Sequence, residues 1–302
     1  MRGASRLVGA AVAAILLLGA CSSEDVDPDA LQSGVEDVTD ASPHPFTRYV
    51  ALGDSFTAAP LVPTTDLADG CFRSDSNYPS LVAERLDIDT FVDVSCSGAE
   101  TADLTAPQQT VQDSTVPPQL DAVGPRTDLV TLGIGGNDFD LFHTLVATCS
   151  QLRAEDPAGS PCATTLEDRG IDLVATTERI SRRVVETVRQ VQERAPSAEV
   201  LLVGYLRITP SDGRCPELPF ARDDYAFGQR VSQALNDALA RAARRTRVEF
   251  VDMYAASEGH DVCSEEAWVN GSTTVQGEAL AFHPFAEGME AVADEVLEAL
   301  SE

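Results

Sequence analysis

The sequence predicts an α/β fold in which a parallel β-sheet is covered by helices on both faces. From Thr47 onward, short apolar runs alternate with longer amphipathic ones, the order that builds parallel sheets from strand–helix units. The short runs are about five residues long and mostly apolar, as strands buried on both faces require. No internal repeat and no second composition regime appears after residue 46, so residues 47–302 read as one domain.

Taken in order, Tyr49–Leu52 is the first strand. Gly53 permits a sharp turn, and Asp54-Ser55 can cap and open a helix. Pro79–Leu86 reads as a helix and Phe91–Val94 as the second strand. Gln108–Gly124, rich in Gln, Pro and Thr, is expected to be a surface loop. Asp128–Leu132 is the third strand, followed by Gly133-Ile134-Gly135-Gly136-Asn137-Asp138. Ala154–Pro161 is a polar loop between Cys149 and Cys162. Ile171–Arg194 has helical spacing, with Leu173, Ile180, Val184, Val188 and Val191 on one side and Pro196 ending it. Val200–Tyr205 is the fourth strand. Asp223–Arg245 is a second long helix that offers Tyr225, Phe227, Val231, Leu235 and Leu239 to the core. Val248–Asp252 is the fifth strand, and Pro284–Leu300 the closing helix, with its proline in the first turn.

The 302 residues carry a net charge of −28, and every basic residue is arginine. Such an acid excess argues against nucleic acid and against adhesion to anionic lipid by charge, because both would be repelled. Residues 1–20 stand apart from the fold. Arg2 and Arg6 precede an apolar run, Leu7 to Leu18, that is too short to span a bilayer. Leu18-Gly19-Ala20 then leads into Cys21, which resembles a bacterial lipoprotein signal peptide. That resemblance implies cleavage before Cys21, acylation of Cys21 and a lipid anchor on the outer face of the cell membrane. A plain secretory signal is the alternative. Residues 21–46 form an acidic tether, with seven acidic and no basic residues between Ser22 and Pro45. Such a segment cannot bury enough apolar surface to fold. Apart from Cys21, the even set of six cysteines suits three disulfides in an exported chain, out of 15 possible pairings. Sequential pairing is the simplest. No Cys-x-x-Cys or His-x-x-x-His spacing suggests zinc.

Three stretches fall at strand ends, where α/β folds keep their chemistry: Gly53-Asp54-Ser55, Ser95-Cys96-Ser97-Gly98-Ala99 and Gly135-Gly136-Asn137-Asp138; a fourth, Phe282-His283-Pro284, comes before the last helix. A hydroxyl nucleophile needs a base in hydrogen-bond reach and donors aimed at the developing oxyanion. Ser55 can attack and His283 can take its proton. The backbone N–H groups of Ser55 and Gly98 and the Asn137 amide can receive the oxyanion. Glycine at position 98 suits a backbone that must approach a ligand closely. A base near the ordinary histidine pKa of about 6.5 predicts activity that falls below roughly that pH. Asp54 reads as a cap rather than a proton carrier. Phe139, Leu141 and Phe142 serve either an acyl pocket or the core, and His143 is a candidate to line the site. His260, followed by Asp261, is a rival base, with a structural role as its alternative.

These residues resemble the four blocks of the SGNH (GDSL) hydrolases, in order, over residues 49–290. The cysteine placement is similar to the actinobacterial secreted branch of lipases and esterases. The resemblance implies a flavodoxin-like three-layer sandwich around the parallel sheet. It implies disulfides Cys71–Cys96, Cys149–Cys162 and Cys215–Cys263, and ester hydrolysis with no cofactor or metal. It gives Ser55 and His283 catalytic roles and makes Ser55, Gly98 and Asn137 the oxyanion hole. Two positions depart from the pattern. Leu280 stands where many members carry a triad aspartate, so the Leu280 backbone carbonyl is expected to orient His283, with Glu278 as the rival. Ala58-Ala59-Pro60 stands where a glycine commonly follows the nucleophile block. The expected function is extracytoplasmic hydrolysis of a small-molecule or lipid ester through an acyl-enzyme, by a monomer. A binding lipoprotein without turnover and a sugar-ester deacetylase are the alternatives.

Overall fold

The computed structural model describes residues 46–211 and 213–301. The signal peptide, the acylation at Cys21 and the tether up to Pro45 lie outside them. Five strands form the central sheet: β1 (Arg48–Gly53), β2 (Thr90–Asp93), β3 (Leu129–Gly133), β4 (Glu199–Val203) and β5 (Glu249–Val251). Their order is β2-β1-β3-β4-β5, and all four pairings are parallel. This is the flavodoxin-like order, in which the chain reverses its direction of travel between β1 and β3. The continuous apolar runs are explained by burial: every residue of β3, and Tyr49–Gly53 of β1, is enclosed.

The main helices are α1 (Ser55–Ala58), α2 (Tyr78–Arg85), α3 (Leu173–Arg194), α4 (Asp224–Thr246) and α5 (Ala286–Ala299). α3 packs on α4, and α2 packs on α5. α3 starts where the Asp172 carboxylate accepts the Ala175 N–H at 2.8 Å, and it buries Leu173, Ile180, Val184, Val188 and Val191. Asn77 caps α2 in the same way, accepting from Ser80 N–H at 3.0 Å.

Two expectations are corrected. α5 begins after Pro284, with Phe285 as its cap, and Pro284 instead bridges to Val269. Gln108–Gly124 is not a plain surface loop. Gln108–Gln109 pairs antiparallel with Thr115–Val116, and a 3₁₀ turn, Gln119–Ala122, buries Gln119 and Leu120. A second short hairpin, Thr65–Asp66 with Arg73–Ser74, had no signal in the sequence, because two-residue strands are too short to show a period.

The six described cysteines form the disulfides Cys71–Cys96, Cys149–Cys162 and Cys215–Cys263, so none is a free thiolate. Cys71–Cys96 positions the site. It fastens the hairpin to the turn after β2, where Ser97 N–H also donates to the Cys71 carbonyl at 3.0 Å.

Candidate active site

β1 ends in a turn with no room for a side chain. A Cβ on Gly53 would lie 2.6 Å from the Gly133 carbonyl oxygen and 2.2 Å from Thr57 Oγ1. Asp54 follows as the cap of α1, its carboxylate accepting Phe56 N–H at 2.9 Å. The turn delivers Ser55 to the carboxyl edge of the sheet. Gly98 comes from the turn after β2, Asn137 from the turn after β3, and His283 from the segment before α5. All four line one cavity of about 440 Å³. Phe56, Phe72, Val111, Phe142, Val146, Ile208, Leu280 and Phe282 give it an apolar wall, and His143 joins them.

His283 Nε2 lies 2.7 Å from Ser55 Oγ. Its Nδ1 lies 2.8 Å from the Ala281 carbonyl oxygen. A carbonyl can only accept, so Nδ1 carries the proton and Nε2 is left with a lone pair facing the serine hydroxyl. The partner is therefore Ala281, not Leu280. The Leu280 carbonyl is already taken: it accepts His283 N–H at 3.1 Å, closing a turn, and Asn270 Nδ2 at 3.2 Å. Phe282, third in that turn, adopts φ 61°. Asn270 holds the turn further, donating through its side chain to the Ala279 carbonyl and through its backbone N–H to the His283 carbonyl. Glu278 lies elsewhere, in a second cavity with Trp268 and Phe285.

The oxyanion candidates converge on the same cavity. Among the described residues, no hydrogen bond takes up the Ser55 or Gly98 backbone N–H. Gly98 has φ +80°, and a Cβ there would come no closer than 3.9 Å to Gln108 Nε2. Conformation rather than crowding therefore requires glycine in this structure. Asn137 Nδ2 donates to the Ala99 carbonyl at 3.0 Å, which aligns its amide with the Gly98 turn. Asp138, fully buried, accepts both the N–H and the hydroxyl of Thr101 at 2.7 Å and so locks the two turns together.

The environment sets the protonation states. Phe56 packs 5.4 Å from the His283 ring, and burial pulls the imidazole down to about 4, against a small upward pull from Ala281. The expectation of an ordinary histidine pKa fails for that reason. Asp54 is 1% exposed, and burial pushes its carboxyl up to about 7, against the opposing pull of its hydrogen bonds. Its second oxygen meets the Tyr205 hydroxyl at 2.5 Å, and that hydroxyl accepts Gly136 N–H at 2.7 Å. Asp54 thus caps α1 and ties the Ser55 turn to the Asn137 turn.

The remaining candidates separate. Phe142 lines the cavity; Leu141 is core; Phe139 lies between the Arg179 and Arg183 guanidiniums, 3.7 and 3.9 Å from them. His260 stacks on Trp268 at 4.0 Å and bonds the Glu266 carbonyl, a structural role. Ala59, at φ 55°, ends α1, and Pro60 offers its carbonyl to Leu280 N–H at 3.2 Å. The Ala-Ala-Pro departure therefore links the serine segment to the histidine segment. Tyr205 and Gln119 also reach the Ser55 turn, through Asp54 and Gly53 respectively, and neither is among the site residues expected from the sequence. An aromatic hydroxyl closing a buried strand was a usable signal, since it needs a partner.

Ser55, an imidazole fixed against it and convergent N–H donors meet beside an apolar cavity at the carboxyl edge of the sheet, the arrangement a hydrolase of this α/β architecture would need. The chain matches the GDSL-like lipase/acylhydrolase family over residues 51–291 and belongs to that family; it is a carboxylic-ester hydrolase. It is 36% identical to Lipase 2 of Streptomyces coelicolor, over 87% of this chain and 91% of that protein. Among solved structures it is similar to phospholipase A1 from Streptomyces albidoflavus, with TM-score 0.70 and 27% identity, covering 84% of this chain and 99% of the other. The extracellular lipase from Streptomyces rimosus gives TM-score 0.69 and 27% identity with the same coverage.

The two buried groups pull the pH dependence of stability in opposite directions. Asp54, at about 7 in the fold against an ordinary 3.8, keeps a proton that the unfolded chain releases, so its contribution falls as pH rises through that window. His283, at about 4 against 6.5, refuses a proton that the unfolded chain accepts, so its contribution falls as pH drops through that window. Relative to wild type, Asp54→Asn is expected to make the change of stability with pH across the overlap more positive, and His283→Gln to make it more negative. Urea unfolding of wild type and both variants at a series of pH values reads the two differences; differences of equal sign would contradict the assignment.

Proposed function

We propose that the chain cleaves carboxylic esters through an acyl-enzyme on Ser55, with His283 as general base. The 2.7 Å contact between Ser55 Oγ and His283 Nε2, at the wall of an apolar cavity, carries this reading. Nε2 takes the hydroxyl proton as Oγ attacks the ester carbonyl. The Ser55 and Gly98 N–H groups and Asn137 Nδ2 receive the oxyanion. The imidazolium then gives its proton to the departing alcohol oxygen, and a water activated by the same nitrogen releases the acid. The Ala281 carbonyl fills the orienting role that a triad carboxylate has elsewhere. The apolar wall seats the acyl chain, which favours lipid or other neutral acyl esters over sugar acetates.

Purified full-length chain is expected to hydrolyse p-nitrophenyl esters and to be labelled at Ser55 by a fluorophosphonate. Ser55→Ala is expected to lose both while keeping its fold by circular dichroism. A labelled or active alanine variant moves the nucleophile elsewhere, and a folded wild type that neither turns over nor labels favours a binding protein.

The low pKa of His283 changes the expected pH profile. The base stays unprotonated down to about 4, so the acid limb of kcat/KM is expected near that value, well below the ordinary histidine range of about 6.5. A limb near 7 that disappears in Asp54→Asn would report Asp54 instead.

The same reading places the protein outside the cytoplasm, anchored through an acylated Cys21 with residues 21–46 as spacer and residues 47–302 as the catalytic domain. The Leu18-Gly19-Ala20-Cys21 run supports this. Cells fed labelled palmitate are expected to incorporate it into the wild type and not into Cys21→Ala. Equal incorporation, or none in either, would leave the chain without this anchor.

A further inference from the structure

We infer that Gln119 is a positioning residue for the nucleophile: its side-chain amide holds the Gly53 peptide, and through it the angle at which Ser55 meets His283. The inference rests on the reading of Ser55 as nucleophile.

Gln119 is 2% exposed. Its Oε1 accepts Gly53 N–H at 2.8 Å, and its Nε2 donates to the Gly53 carbonyl at 2.9 Å. This two-point grip answers a gap in the sheet. β1 pairs with β2 only as far as Ala51 opposite Asp93. Past that point the β2 chain bends away toward Gly98, returning only Val94 N–H to the Ala51 carbonyl and Cys96 N–H to the Gly53 carbonyl, each at 3.0 Å, and nothing to the Gly53 N–H. The Gly53 N–H would otherwise face a place where no strand continues. A carboxamide carries the same donor and acceptor as a peptide, so Gln119 substitutes for the missing residue of strand.

The opposite edge of β1 is held by β3, with Asp54 N–H on the Gly133 carbonyl at 3.0 Å. The peptide two residues before the nucleophile is thus gripped from both sides. Gln119 is itself anchored. Pro117 and Pro118 precede it and fix the backbone entering its turn. The next carbonyl, that of Leu120, accepts Arg194 Nη1 from α3 at 2.5 Å. Arg194 with Asp121 is the charged pair on this side, both partly exposed, and Asp54, its carboxyl pushed up to about 7 by burial, is the ionisable group on the other. Misplacing a reacting group by about 1 Å lowers rates on the order of 10²-fold. The effect of losing this grip should therefore appear in turnover rather than in substrate binding.

Two variants of the full-length chain test this on p-nitrophenyl ester hydrolysis. Gln119→Met, similar in length but with neither bond, is expected to lower kcat at least about tenfold and to leave KM within about twofold. Gln119→Glu is isosteric, and it can both accept and donate only when protonated. Burial raises a carboxyl above its reference of about 4.3, so the kcat of Gln119→Glu relative to wild type is expected to climb as the pH falls from about 8 to about 5. A purely structural residue predicts no such recovery. Wild-type kcat in Gln119→Met overturns the inference, as does a Gln119→Glu ratio that stays flat with pH; the second decides the matter if Gln119→Met does not fold. Loss of wild-type labelling at Ser55 would bring down the nucleophile reading itself, whereas a labelled wild type with an indifferent Gln119 brings down only this inference.

Discussion

An imidazole can serve a serine only in the tautomer that leaves Nε2 free, and here one backbone carbonyl selects it. The Ala281 oxygen sits 2.8 Å from Nδ1, and the whole C-terminal turn is built to present it. Asn270 braces that turn, and the Leu280 carbonyl closes it. Leu280 N–H then fastens the turn to Pro60, five residues beyond Ser55. The contact is a neutral one in a walled site. It fixes direction without adding charge, which is why burial dominates the imidazole and draws its pKa down.

Buried carboxylates do the joining elsewhere. Asp54 spans the Ser55 turn and, through Tyr205, the Gly136 backbone. Asp138 spans the Asn137 turn and Thr101, next to the Gly98 turn. Neither contacts Ser55 Oγ or His283 in the hydrogen-bond network. Each accepts from two or more donors, the condition under which a buried acid is tolerated. The site is therefore four loops tied pairwise: by Asp54–Tyr205, by Asp138–Thr101, by Cys71–Cys96 and by Leu280–Pro60.

The sheet and the long helices were legible in the sequence because burial on both faces and on one helical stripe leaves different periods. α3 shows this well, since its apolar positions from Leu173 to Val191 are the ones it buries. Ser55, Gly98, Asn137 and His283 were legible because each follows a strand or precedes a helix at the chemically open edge. What escaped depended on side-chain geometry or on single dihedrals. The choice of Ala281 over Leu280 follows from a turn with Phe282 at positive φ, which no composition signal marks. Gln119 looked like one polar residue in a Pro- and Gln-rich loop, and only its burial reveals what it holds. The two hairpins near residues 65–74 and 108–116 are too short to carry any pattern.

Ser55 and His283 stand 228 residues apart in the chain, and His283 lies in the segment just before α5. In N-to-C order the Ser55, Gly98 and Asn137 turns and all five strands of the sheet precede the histidine. A chain in which only the sheet has assembled therefore lacks the Ser55–His283 contact. The cavity's polar edge is completed late in sequence order, by a segment that belongs to no strand of the sheet.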